Sequence, residues 1–91
     1  MAIHGFDVTP EINCAAFNRL RPGEIFSTYR VQVWIEQNHT EALVAASKTK
    51  QHGRWTITPA AIASRVADKL MQSWKKRGLI KLGARRQWER V

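Results

Sequence analysis

Ile62, Val66, Leu70 and Trp74 recur every fourth residue, with Ala63 and Ala67 beside them. That spacing is the apolar stripe of an amphipathic helix. It follows Thr58-Pro59, a pair suited to a helix start: threonine accepts from a free amide, and proline has no amide to strand. A long helix is therefore predicted over residues 59–77, stopped by Gly78, which enters the left-handed conformation without steric penalty. Thr9-Pro10 repeats the start signal. Behind it Ile12, Ala16 and Leu20 form a shorter stripe, predicting a helix over 10–20 that ends at Arg21-Pro22-Gly23.

The middle of the chain fits two templates. Tyr29, Val31, Val33 and Ile35 alternate with Arg30, Gln32 and Glu36, as in a strand. A helix capped by Ser27 fits as well, burying Val31, Trp34 and Ile35, with Phe26 stapled onto Val31. The helix is favoured, after a short strand at 24–26. "HTEALVAASK" predicts a further short helix from Thr40, "TKQHGR" a loop, and "WTI" a short strand entering the long helix. Beyond Gly78, "LIKL" and "QWERV" read as strands at 79–82 and 87–91, joined by a turn over 83–86. Residues 1–8 receive no element and are expected to form a flexible N-terminus. At 91 residues the whole chain, 1–91, is expected to be one domain, mainly α with a small C-terminal β-hairpin.

Charge changes the picture more than composition does. The formal net charge is +8. Residues 65–91 hold nine Lys or Arg against two acids, so +7 of it lies in the last 27 residues. A local positive pole attracts polyanions, and nucleic acid has closely spaced phosphates to offer it. The competing reading is a solvated, solubilising face.

Other chemistry has little support. His4, His39 and His52 are isolated from one another, and one cysteine cannot complete a zinc set, so neither metal nor cofactor is expected. Cys14, within "NCAAF", reads as a small buried hydrophobe rather than a nucleophile. No glycine-rich phosphate loop or nucleophile motif occurs, and the carboxylates are scattered, so an enzyme is not expected. The start lacks signal-peptide character and the longest apolar run, "ALVAA", cannot span a bilayer. No membrane partner and a cytoplasmic, nucleoid-associated location are the corresponding expectations. Trp74 is assigned to the core, Trp34 and Trp55 to core or interface, and Trp88 to folding the hairpin back onto the helix.

On the long helix the face opposite the stripe presents Ser64, Arg65, Asp68, Lys69, Gln72, Ser73, Lys75 and Lys76. Arg65, Lys69, Gln72 and Lys76 follow one another by four, three and four residues and project together. Arg65 and Gln72 suit paired hydrogen bonds to base edges, while Lys75, Lys76 and Arg77 suit phosphates. The hairpin adds Lys81 and, at its turn, Arg85 and Arg86.

This order resembles the winged helix-turn-helix DNA-binding domains of small phage and bacterial proteins. "RPGEIFSTYRV" is similar to their first strand and second helix, "TPAAIASRVADKLMQSWKKRGLI" to their recognition helix, and "KLGARRQWERV" to their wing. The resemblance implies that Arg65, Lys69 and Gln72 read base edges and that Arg85 and Arg86 contact the flanking backbone or minor groove. The chain departs from it between His39 and Ile57, where the second and third helices stand further apart than usual. Double-stranded DNA is the expected partner, in transcriptional regulation or as an accessory factor in replication or recombination. The alternatives are a protein-interaction module, such as a phage-type inhibitor of a host protein, and an RNA-binding winged helix. "ALVAA" could serve a homodimer interface or complete the monomer core.

Overall fold

A computed structural model describes residues 2–3, 5–49, 58–83, 85 and 87–91. Thr9 and Thr58 act as the paired start signals require. The Thr9 side chain accepts from the Ile12 amide at 3.2 Å and opens α1, Pro10–Asn18. Thr58 accepts from the Ala61 amide at 3.1 Å and opens α4, Pro59–Lys76. Between them lie α2, Thr28–Asn38, and α3, Thr40–Thr49. The ambiguous stretch is helical: Ser27 caps α2 by accepting from the Arg30 amide at 3.4 Å. The burial pattern is that of the capped and stapled helix: Phe26 and Val31 both enter the core, leaving Tyr29 68% exposed, whereas the strand pattern would bury Tyr29 beside Val31.

The described part of the extra length between second and last helix is α3, which follows α2 almost without a break. The His39 amide donates to Ile35 O at 2.9 Å, and Leu43 donates to His39 O at 3.0 Å. Leu43 and Ala46 sink into the core, so the "ALVAA" segment contributes to this chain's own interior. The loop expected at "TKQHGR", the strand expected at "WTI", and Trp55 fall outside the described residues after Thr49.

α4 is the central element. Its stripe of Ile62, Ala63, Val66, Ala67, Leu70, Met71 and Trp74 is buried against α2 and α3. Burying each large aliphatic side chain of this kind is worth about 1.5–3 kcal/mol relative to exposure. Trp74 is fully buried, with Phe17 at 5.4 Å and Phe26 at 6.5 Å between ring centroids, both in edge-on geometry.

Among the described residues of the first eight, where the sequence predicts no element, two short strands and two core side chains occur. β1, Ala2–Ile3, pairs antiparallel with β2, Phe6–Asp7, and Phe6 and Val8 join the core. Two-residue strands are too short to carry an alternation legible in sequence. Cys14 is also corrected: it is exposed. The inner stripe of α1 is Ile12, Asn13, Ala16 and Phe17, and Cys14 lies about 200° round the helix from Ile12.

The sheet joins distant segments. β3, Ile25–Phe26, pairs with β5, Trp88–Arg90, which pairs with β4, Ile80–Leu82, giving the order β3-β5-β4. Phe26, Trp88 and Leu82 stand on the face toward the helices, while Ile25, Glu89 and Lys81 stand on the other. Arg90 locks the sheet to α1. Its guanidinium donates to Leu20 O and lies 4.3 Å from the Phe17 ring centroid.

Candidate nucleic-acid interface

The polar face of α4 is positioned by the burial of its opposite stripe. Arg65, Lys69, Gln72, Lys75 and Lys76 are exposed, with Asp68 among them, and Ser64 and Ser73 are half-buried at the edge. No ion pair among the described residues engages Arg65, Lys69, Lys75 or Lys76. From Arg65 to Lys76 the face runs about 16 Å along the helix axis. That is under half of a duplex turn of about 34 Å.

The hairpin is held to this face by the way α4 ends. Gly78, at φ +72°, donates to Lys75 O at 3.1 Å, and Leu79 donates to Trp74 O at 2.9 Å. These two bonds are the Schellman closure, which reverses the chain within two residues and sends it into β4. Arg77, the capping residue, is exposed. Lys75 reaches across the junction with its ammonium 5.7 Å from the Trp88 ring centroid, so Trp88 does fold the hairpin toward the helix.

At the hairpin the predicted residues divide. Lys81 is exposed on the outer face but pairs with Glu89 at 3.7 Å, which offsets its charge. Arg85 is exposed at the turn with φ +58°, a left-handed conformation unusual for arginine. The turn closes with the Gly83 amide donating to Gln87 O at 2.7 Å. Arg86 lies outside the described residues.

Sequence reading missed the neighbour of this face. Lys69, Ser73 and Arg77 border an open groove whose other side is Thr9, Pro10, Asn13 and Cys14, from the start of α1. The groove therefore sets two cations beside the N-terminal end of α1. Asn13 was the available signal, a polar residue on an otherwise apolar inner stripe. Its partner, Trp74, is 61 positions away and could not be named from spacing.

Among the described residues, no cluster of three His, Cys, Asp or Glu side chains could hold a metal ion, and no helix is long and apolar enough to cross a membrane. Comparisons with protein-family models, curated proteins and solved structures return no match.

Proposed function

We propose that this chain is a small double-stranded DNA-binding protein of winged-helix type, with α4 entering the major groove and the β4–β5 hairpin lying along the flanking backbone. The observation that carries the reading is the shared exposure of Arg65, Lys69, Gln72 and Lys76 on one face of α4, directly joined to a hairpin with Arg85 at its tip. Cations free of internal ion pairs are the groups that release counterions from phosphates. Gln72 and Arg65 add donors of the kind that pair with base edges, which a merely solubilising face has no use for. Two features support a rigid reader rather than a loose tail. α4 is buried along its whole inner stripe, and the hairpin is tied to it through Gly78, Trp88 and β3. A face of this length would read one short site per copy. Such a protein would act by occupying DNA, as a transcriptional regulator or an accessory factor in replication or recombination.

The test is a salt-titrated binding measurement of the whole chain against random duplex DNA and duplex RNA. The reading expects DNA binding at low salt, preferred over RNA, with log K falling linearly against log salt. An absence of duplex DNA binding at low salt overturns it, and a preference for duplex RNA replaces DNA with RNA as the partner.

A further inference from the structure

A second basic site stands away from α4, and the overall charge count conceals it. Residues 1–64 carry six Lys or Arg against five acids, yet Arg19, Arg21 and Arg30 gather around the single carboxylate of Glu24. Glu24 is already engaged, accepting from the Arg21 amide at 2.9 Å and pairing with Arg30. The cluster keeps an excess of positive charge.

Beside this cluster is a cleft between α1 and α2, lined by Ala16, Arg19, Leu20, Arg30, Val31 and Trp34. Its base is apolar and its two arginines are exposed at the rim. The cleft is shallow and partly open to solvent, leaving about 20 Å³ for the centre of an incoming group. That is far below the roughly 300–1,000 Å³ of small-molecule pockets, so it offers a shallow seat for the tip of one side chain and not a cofactor site. Trp34 is half-buried, steadied edge-on against His39 at 5.6 Å, so it offers a fixed wall. Tyr29 at 68% and Ile25 at 56% exposure add large apolar surface nearby in the chain. Trp and Arg beside a small apolar pocket are among the residues that dominate protein interfaces.

We propose that the α1–α2 cleft docks an acidic peptide segment of another protein, its apolar anchor side chain seated on Leu20, Val31 and Trp34 and its carboxylates on Arg19 and Arg30. Charge complementarity selects this occupant. A second copy of this chain brings a net charge of +8 toward an arginine cluster. A duplex would satisfy the arginines but gain nothing from the apolar base. The cleft borders the C-terminal half of α1, whereas the groove beside Lys69 and Arg77 borders its N-terminal half. The protein would thereby hold an acidic partner without using the cations of α4. This inference stands independently of the DNA-binding reading.

The experiment titrates the isotopically labelled whole chain with a fluorescent, glutamate-rich peptide carrying one central leucine, followed by amide shifts and fluorescence anisotropy. Amide shifts are expected within residues 16–34. Arg19→Glu, an exposed change that spares the core, should weaken binding about tenfold. Replacing the leucine by alanine, or the glutamates by glutamines, should weaken it comparably. No binding at about millimolar peptide, unchanged affinity in Arg19→Glu, or equal binding of the peptide lacking its leucine would each overturn the proposal. Shifts at these same residues produced by duplex DNA, which then displaces the peptide, would reassign the patch to nucleic acid. Duplex binding read at the Lys69 and Lys76 amides reports separately on the α4 face.

Discussion

The indole N–H of Trp74, near the end of α4, donates to Asn13 Oδ1 in α1 at 2.8 Å. Trp74 is the largest fully buried side chain among the described residues, and this bond satisfies its one polar atom. It also ties α1 to the C-terminal half of α4, where the groove beside Lys69 and Arg77 is formed. Asn13→Ala leaves a buried donor without a partner, at a cost of about 1–3 kcal/mol. Urea unfolding should report that loss as a lowered midpoint with an unchanged slope.

Gly78 makes the turn from α4 into the hairpin. No heavy atom stands within 4 Å of where a Cβ would sit, so the cost of Gly78→Ala is that of the backbone alone, φ +72°. A left-handed alanine costs about 1–2 kcal/mol, reduced by the lower freedom of its unfolded chain. The expected destabilisation is about 1 kcal/mol, with Gly78→Asn losing less, measured by thermal unfolding.

Glu24 makes stability depend on pH in the acid range. The Arg21 amide donating to its carboxylate is the main cause that holds its pKa below the usual 4.5, helped by the nearby Arg30 and opposed by desolvation. Because the folded value lies below the unfolded one, the stabilisation is complete above the ordinary glutamate range and is lost as pH falls through the folded value. Glu24→Gln should therefore be less stable than the parent at neutral pH and show a shallower decline in acid. The two melting-temperature curves should converge below the folded pKa.

Arg85 separates charge from architecture. At φ +58° a glycine relieves the left-handed strain while enlarging the freedom of the unfolded chain, and the two effects nearly cancel. Arg85→Gly should keep its melting temperature within a few degrees and bind duplex DNA more weakly. Its salt slope should fall by about 0.9 if the side chain meets one phosphate. An unchanged affinity would remove the hairpin tip from the interface.

Lys76 and Gln72 should differ in kind. Lys76→Ala is expected to weaken binding to all duplex sequences alike and to lower the salt slope by about one. Gln72→Ala should leave the slope intact and relax sequence preference, by about 1–3 kcal/mol at one base pair. Selection of preferred sites from a random duplex library, at two salt concentrations, distinguishes the two outcomes.

Much of this arrangement was legible in the order of residues because its causes are local. Thr9-Pro10 and Thr58-Pro59 start helices through bonds spanning three residues. The Ile62–Val66–Leu70–Trp74 stripe dictates which side of α4 is buried, and hence that Arg65, Lys69, Gln72 and Lys76 emerge together. Gly78 and the alternation around it were enough to expect a hairpin. Elsewhere local signals were insufficient. The 28–36 stretch satisfied two periodicities, and burial of Phe26, Val31 and Ile35 against α4 settled it as helix.

What depended on tertiary structure involves partners far apart in the chain. β3 and β5 lie at opposite ends of the α2–α4 segment of the chain, so neither the three-stranded sheet nor the seating of Arg90 on Phe17 and Leu20 follows from pattern. Summed charge likewise ranked residues 1–64 as nearly neutral, although folding gathers Arg19, Arg21 and Arg30 around one carboxylate and opens an apolar cleft beside them. The sequence alone determined the helix starts, the buried stripe and the basic pole, since each depends on neighbours within a few residues. Tertiary packing decided which charges stay free, which are paired or stacked, and which surfaces adjoin, because those outcomes depend on distances that no spacing along the chain encodes.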